Sequence, residues 1–267
     1  MTDRIPKRII QTDKSRNLPV LQKAAVAGIR LNNPDFEYVF FDDLEVEKFI
    51  DRHFPEYRDV LNSFPFAIQK YDFFRYVAVY KLGGFYFDTD MLLATGLTDL
   101  LDCGCVFPFE RLTWSDYLRE TYGMDWEIGN YAFGAAPGHP FLSAIIQNCV
   151  RAQRDQKWAD AMTRSLPYPL RQELVVIYTT GPGLVSRTLA EYPDAVNQVK
   201  ILFPENVCDK KCWSLFGNYG VHLGGGSWRI QHSLLRRRLN GVFGKRNEQR
   251  AIRRGERIGR TRSLSSK

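Results

Sequence analysis

Long apolar segments are missing from this chain of 267 residues. No run of 18 or more apolar residues occurs in it, so the sequence predicts no membrane-spanning helix. The N-terminal residues, MTDRIPKRIIQ, also lack the apolar stretch of a secretory signal. These two absences predict a cytoplasmic protein.

Cysteine is scarce, and its spacing forms no familiar pattern. The five cysteines are odd in number and contain no repeated C-x-x-C motif, so neither a disulfide framework nor a zinc site is indicated. Cys208 and Cys212 are separated by three residues, and only His222 and His232 lie near them in sequence. A structural zinc site needs four ligands, which argues against one here.

An excess of positive charge is missing from most of the chain and is concentrated at its end. Residues 229–267 contain 13 Lys and Arg against two Glu, a net charge of +11, and residues 1–228 carry −4 of the total of +7. We therefore expect one domain over residues 1–235 and a basic, flexible tail over 236–267. The tail is either a solvated end or a peripheral contact with an anionic cytoplasmic membrane face, at about 1 kcal/mol per basic residue. Binding of nucleic acid is a less favoured alternative, because no recognition motif accompanies the charge.

The remaining composition is that of a folded domain, with 44% hydrophobic and 25% charged residues. Alternating strand and helix patterns in the first fifty residues predict a parallel sheet with crossover helices, which is an α/β fold. Asp42 and Glu45 predict a capping box at the start of the second helix. The expected elements are strand 8–11, helix 18–31, strand 36–41 and helix 43–54.

The most informative stretch is residues 71–90, YDFFRYVAVYKLGGFYFDTD. It predicts a helix that ends at Gly83 and an apolar strand that leads to Asp88 and Asp90. Asp88 and Asp90 are two residues apart, so in extended geometry their carboxylates point to the same side. Such a pair suits a hard divalent cation that also contacts a diphosphate. An ordinary polar turn is the alternative for a D-x-D motif alone.

The helix before this strand contains two charges in apolar surroundings. Asp72 and Arg75 are three residues apart and share one helical face. They form either a local ion pair or part of a ligand site, because charges in a mostly buried helix are costly unless they are paired or bind something.

The order D-x-x-R-Y, lysine, two glycines, aromatic strand and D-T-D resembles the nucleotide-sugar site of glycosyltransferases of the family 32 type. It is also similar to the glucosyltransferase domains of large clostridial toxins. The resemblance implies a single GT-A, Rossmann-like domain with a mostly parallel central sheet flanked by helices. It further implies transfer of a sugar from a nucleoside diphosphate sugar, with UDP-sugars favoured, to a hydroxyl of a glycan or lipid-linked acceptor, with retention and with Mn²⁺ or Mg²⁺.

Further motifs extend the resemblance along the chain. The motif I-P-K-x-I-x-Q places Gln11 and, more weakly, Thr12 near the nucleoside, and N-x-x-x-x-A-x-P-G-H-P-F places Asn130 near the donor sugar. His139 in that motif is interpreted as structural. The T-G-P motif at residues 180–182 either caps a helix or helps to hold an anion or the acceptor.

By the same resemblance, His222, which lies just before the glycine-rich segment 224–226, completes the site although it is distant in sequence from the aspartates. The candidate metal ligands are Asp88, Asp90 and His222; the candidate donor-binding residues are Gln11, Asp72, Arg75, Asp88, Ser227 and Trp228; the candidate catalytic residues are Asp88, Asp90, Arg75 and Asn130. Residues 110–129 are interpreted as acceptor-facing loops or as an ordinary surface insertion. A glycoside hydrolase that uses Asp88 and Asp90 as its carboxylate pair is the alternative enzyme class.

Overall fold

The computed structural model describes residues 4–166, 168–192 and 195–224. The predicted basic tail, Ser227 and Trp228 lie outside the described residues, so the proposed domain boundary at residue 235 stays a prediction. Within the described ranges, no helix combines the length and the apolar character that crossing a membrane requires.

Strands and helices alternate through the first half of the chain, and helices dominate the second half. The strands are β1 (Arg8–Thr12), β2 (Glu37–Phe41), β3 (Gly84–Phe87), β4 (Met91–Leu93), β5 (Cys105–Leu112), β6 (Trp126–Ile128), β7 (Ala132–Ala135), β8 (Lys200–Leu202), β9 (Leu215–Phe216) and β10 (Gly220–His222). The α-helices are α1 (Val20–Asn32), α2 (Asp43–His53), α3 (Arg58–Ser63), α4 (Ala67–Leu82), α5 (Asp116–Tyr122), α6 (Pro140–Arg154), α7 (Gln156–Asp160), α8 (Tyr168–Thr179), α9 (Pro182–Glu191) and α10 (Ala195–Gln198).

The central sheet of the described residues has the strand order β2-β1-β3-β7-β5-β6, and β8 also pairs with β5. Strands β1, β2 and β3 are parallel to one another. Strand β7 is antiparallel to both β3 and β5, so β5 and its parallel partner β8 run in the same direction as β1. Only β7 and β6 are reversed, which confirms the predicted mostly parallel α/β sheet.

Alternation along β3 explains why the sheet is covered on both faces. Phe85 and Phe87 face a buried cluster that includes Ile29 of α1, whereas Tyr86 faces the larger cluster built around α4 and α6. Because every residue of β3 is buried, this strand forms the centre of the protein. Its carboxyl end therefore has a fixed position relative to both layers of helices.

Two adjacent glycines allow α4 to turn directly into β3. Gly83 has a φ of 65° and Gly84 a φ of 109°. A β-carbon would lie 2.7 Å from the Pro137 ring at Gly83 and 2.6 Å from the Arg8 carbonyl oxygen at Gly84. Glycine is therefore required at both positions, by backbone conformation as well as by space. This tight turn fixes Asp72 and Arg75 of α4 relative to the strand that follows.

Most elements predicted over the first hundred residues are confirmed, including the capping box of Asp42 and Glu45. The interpretation of residues 110–129 as loops is wrong in part. Strand β5 continues to Leu112, helix α5 begins at Asp116, and β6 returns to pair with β5. A small antiparallel sheet in the order β4-β10-β9 was also not predicted.

Candidate active site

The site lies at the carboxyl edge of the sheet, where β1 and β3 end. Asp88 directly follows β3, and its backbone N–H donates to the carbonyl oxygen of Tyr131 at 2.8 Å. The N–H of Met91 donates to the Asp88 carbonyl oxygen at 3.1 Å, so the D-T-D motif is a turn instead of an extended strand end. Extended geometry was therefore the wrong reason for the predicted convergence, although the carboxylates of Asp88 and Asp90 do converge.

His222 reaches these aspartates through the small sheet. Strand β10 pairs with β4 in antiparallel register, which places His222 opposite Met91, and the N–H of Leu223 donates to the Asp90 carbonyl oxygen at 3.1 Å. The Nε2 atom of His222 lies 3.1 Å from Asp90 Oδ1 and 3.8 Å from Asp88 Oδ2. The structure thus brings together the three residues that were predicted to bind a metal.

This triad has the donor atoms and the accessibility that a cation site needs. One ligand atom from each of Asp88, Asp90 and His222 lies within 4.8 Å of the others. All three side chains are 19–25% exposed, so a cation held by them would remain open to a substrate. Two carboxylates and an imidazole suit Mn²⁺, and carboxylates also suit Mg²⁺.

The ring of His222 is held in place by its neighbours. It stacks on Tyr131 with a centroid distance of 4.5 Å and an interplanar angle of 8°. Burial lowers the pKa of this imidazole, but the hydrogen bond with Asp90 and the negative charges of Asp88 and Asp90 outweigh that effect and raise the pKa above its ordinary value. Positive charge, whether a proton or a metal cation, is therefore favoured between these carboxylates.

Arg75 connects helix α4 to the aspartate turn. Its Nη1 lies 3.1 Å from Asp88 Oδ1 and donates to the Asn130 carbonyl oxygen at 2.8 Å, and its Nη2 lies 3.2 Å from Asp72 Oδ1. The guanidinium is also 4.6 Å from the centre of the Tyr86 ring. Burial disfavours the charge, but both carboxylates raise the pKa of the guanidinium above its usual range. Arg75 thus orients Asp88, and its predicted contact with donor phosphate oxygens stays a prediction.

Asp72 is the centre of a buried polar network. Asn130 Nδ2 donates to Asp72 Oδ1 at 3.0 Å and contacts the hydroxyl of Tyr76 at 2.8 Å. The hydroxyl of Thr180 donates to Asp72 Oδ2 at 3.0 Å, and the hydroxyl of Tyr76 donates to the Thr180 carbonyl oxygen at 2.7 Å. The predicted residues Asp72 and Asn130 are therefore in contact, and Thr180 joins them.

The charges of this cluster do not cancel. Arg75 is shared between Asp72 and Asp88, so the two carboxylates outnumber the guanidinium. Burial raises the pKa of Asp72, the charge of Arg75 lowers it and the charge of Asp88 raises it, and the net result is a pKa of about 6. Together with Asp90, the cluster has an excess of negative charge that a divalent cation would compensate.

This buried carboxyl predicts a specific dependence of stability on pH. The pKa of Asp72 is about 6 in the folded protein against an ordinary value of 3.8, so the folded state binds the proton more tightly. The resulting stabilisation is fully present below pH 3.8 and is lost as the pH rises through 6, with a magnitude of about 3 kcal/mol. We expect the free energy of unfolding of the wild type, minus that of Asp72→Asn, to increase as the pH falls from 7 to 4.5 in urea titrations. Parallel pH profiles of the two proteins would contradict this expectation.

Gln11 supports the aspartate turn from the end of β1. Its side chain is fully buried, and its Nε2 donates to the carbonyl oxygens of Asp88 at 3.2 Å and Phe87 at 3.4 Å. The hydroxyl of Tyr38 donates to Gln11 Oε1 at 2.8 Å. Its predicted contact with the nucleoside stays a prediction, while the observed contacts position Asp88.

Several side chains of the site were not predicted from the sequence. Tyr131 stacks on His222, Tyr86 donates a hydrogen bond to Asp88 Oδ1 at 2.8 Å, and Thr180 reaches Asp72 from the end of α8. Thr180 belongs to the T-G-P motif, for which a helix cap or a contact with an anion or the acceptor was predicted, and not a contact with Asp72. His139 accepts a hydrogen bond from the N–H of Phe141 and caps α6, in agreement with its structural interpretation.

Comparison with known protein families confirms the resemblance that the sequence suggested. Residues 19–106 match the family described as "Glycosyltransferase sugar-binding region containing DXD motif". This range includes Asp72, Arg75, Asp88 and Asp90, and it ends before Asn130 and His222. The family match therefore covers the part of the site formed by α4 and β3.

Similarity to curated proteins covers more of the chain than this family match. Inositol phosphoceramide mannosyltransferase 3 of Schizosaccharomyces pombe is 30% identical over 207 residues, which are 75% of this chain and 51% of the relative. Mannosyl phosphorylinositol ceramide synthase SUR1 of Saccharomyces cerevisiae is 26% identical over 188 residues, 70% of this chain and 42% of the relative. The chain thus spans about half the length of the curated relatives it matches. Among solved structures, the PaToxG glycosyltransferase covers 78% of this chain and is itself covered to 72%, with 16% identity and a TM-score of 0.48.

Proposed function

Because the chain carries the sugar-binding region of DXD-containing glycosyltransferases, we propose that it is a metal-dependent glycosyltransferase that uses a nucleoside diphosphate sugar. The observation that carries this proposal is the convergence of Asp88, Asp90 and His222 from two distant parts of the chain. A bound Mn²⁺ or Mg²⁺ would supply positive charge to the diphosphate as it departs.

The residues around this triad have distinct roles in the proposed reaction. Asp90 and His222 hold the cation, and Asp88 either joins them or binds the ribose. Arg75 orients Asp88 from α4 and is the candidate for phosphate contact, because a guanidinium can donate two parallel hydrogen bonds. Asp72 and Asn130, which bind each other, are the candidates for hydroxyls of the donor sugar.

The named relatives suggest which sugar is transferred. Those described above are a mannosyltransferase that acts on inositol phosphoceramide and a synthase of mannosylated phosphorylinositol ceramide. We therefore propose a hexosyl donor, either a UDP-sugar or GDP-mannose, and a hydroxyl acceptor on a glycan or a lipid-linked polyol. Retention of the anomeric configuration is part of the same proposal and rests on the family resemblance.

The hydrolase alternative is less compatible with the geometry. Hydrolytic carboxyl pairs flank the scissile bond at separations of about 5–10 Å. Here the ligand atoms of Asp88 and Asp90 lie within 4.8 Å of each other, together with His222. That arrangement favours a shared cation over a sugar ring placed between the two acids.

A thermal-shift experiment tests the proposal. The protein is heated with UDP-glucose, UDP-galactose or GDP-mannose, each with and without Mn²⁺. We expect the melting temperature to rise markedly only with one donor and Mn²⁺ together, because a ligand present at 100 times its Kd stabilises by about 2.7 kcal/mol. His222→Gln should lose most of this shift, since it removes one of the three predicted ligands.

His53→Gln is the matched control, because His53 lies on α2 and packs against the ring of Phe49. It should retain the shift of the wild type. A donor-dependent shift that is equal in the presence of EDTA would contradict metal dependence, and no shift with any sugar nucleotide would contradict the proposed donor class.

A further inference from the structure

Glu110 occupies an irregular position in β5. This strand pairs with β6 through Phe109 and Ile128 and again through Arg111 and Glu127, and the register shifts between these pairs. Glu110 is therefore the extra residue of a β-bulge. Bulges are frequent next to active sites because they change the direction of a side chain.

The side chain of Glu110 lies beside the candidate metal site. A β-carbon on Gly129 would be 2.8 Å from Glu110 Oε2 and 2.5 Å from Tyr131 Cε1, so the carboxylate and this ring meet above the glycine. Tyr131 in turn stacks on His222, which is one of the three candidate metal ligands. The charge of Glu110 also contributes to the raised pKa of His222, after the larger effects of Asp90 and Asp88.

The strand order tells on which side of the metal site Glu110 lies. Gln11 ends β1 and Asp88 follows β3, whereas Glu110 lies on β5, beyond β7 in the strand order. Adjacent strands are about 4.8 Å apart, so β5 is roughly 10 Å from β3 and on the side away from β1. A donor whose nucleoside lies near β1, whose diphosphate lies at the aspartates and whose sugar reaches Asn130 beside β7 would leave the region above β5 to the acceptor.

We propose that Glu110 is an acceptor-binding residue, which accepts a hydrogen bond from a hydroxyl of the acceptor and positions it for transfer. This inference rests on the proposed function. In the reaction, an acceptor oxygen bonds to the anomeric carbon while the bond from that carbon to the diphosphate oxygen breaks. The electron pair of the broken bond stays on the diphosphate, which also takes the proton of the attacking hydroxyl. Glu110 binds a neighbouring hydroxyl or, when water is the acceptor, its second O–H.

Hydrolysis of the donor provides a test that does not depend on the identity of the acceptor. The probes are UDP-glucose and GDP-mannose with Mn²⁺, in the absence of any added acceptor. A hydrogen bond to a charged group contributes about 1.5–3 kcal/mol, so Glu110→Gln should lower kcat of hydrolysis by about tenfold or more. The Kd of the donor, measured by calorimetry, should stay within about twofold of the wild type. Glu110→Asp, which keeps the charge, should recover part of the rate.

Glu120→Gln is the control, because Glu120 is an exposed residue of the nearby helix α5. It should hydrolyse the donor at the rate of the wild type. An unchanged kcat in Glu110→Gln, or a donor Kd weakened in proportion to the loss of rate, would overturn the acceptor assignment. A wild-type protein that neither binds nor hydrolyses either donor would instead contradict the proposed function, and the inference would fail with it.

Discussion

Asp90→Asn is expected to reduce metal-dependent hydrolysis and transfer of the donor sugar by about 10³-fold. Asp90 has the shortest approach to His222, at 3.1 Å, and its replacement removes a charged ligand from the triad. A metal ion that polarises a departing phosphate contributes several kcal/mol to the barrier, and about 4 kcal/mol corresponds to this loss. The rate is measured with the donor identified in the thermal-shift panel, over a range of Mn²⁺ concentrations.

Asp99→Asn is the matched control for this variant. Asp99 is exposed and lies on the short 3-10 helix Thr98–Leu100, which follows β4 in sequence. It should keep the activity and the Mn²⁺ dependence of the wild type. Full metal-dependent activity in Asp90→Asn would exclude Asp90 as a ligand.

Arg75→Met should destabilise the protein by about 3–5 kcal/mol. The guanidinium is only 4% exposed and contacts Asp72 and Asp88, so its removal leaves two neighbouring carboxylates without their cation. The free energy of unfolding is measured by urea titration at pH 7.5, where Asp72 is mostly ionised because its pKa is about 6. The loss should be smaller at pH 5, at which this carboxyl is protonated.

A second variant separates charge from packing. Asp72→Asn combined with Arg75→Met should be less destabilised than Arg75→Met alone, because the uncompensated buried charge is removed. Arg4→Met is the control, since Arg4 pairs with Asp102 at an exposed position, where ion pairs contribute about 0–1 kcal/mol. If the double variant is as unstable as the sum of both single variants, the charge of Asp72 is not the cause.

Local patterns predicted α4, its end and the position of the D-T-D motif. The spacing of apolar residues identifies the helix, and Gly83 marks its end because only glycine adopts the required φ without cost. The ion pair of Asp72 and Arg75 also follows from helical spacing. These features depend on residues that are close in sequence, so one stretch of the chain is sufficient to predict them.

Other parts of the site depend on pairing between distant segments. The contact of Asp72 with Asn130 and Thr180 needs three elements of the fold, and no local pattern specifies it. The resemblance to a known family, and not periodicity, made His222 a candidate ligand, because β10 has only three residues. Residues 110–112 of β5 were interpreted as loop for a different reason: the strand is buried on both faces, so it lacks the alternation that marks a half-buried strand.

The pairing of β10 with β4 also has a consequence for the order of folding. Val221 lies opposite Leu92, so forming this pair closes a loop of roughly 130 residues. The conformational entropy lost in closing the loop opposes this step until the contacts between the two strands have formed. Asp88 and Asp90 directly follow α4 and β3 in sequence, whereas His222 joins them only through the pairing of β10 with β4. The candidate metal site is therefore complete only when β10 and β4 are paired, and a bound cation would stabilise this long-range pairing.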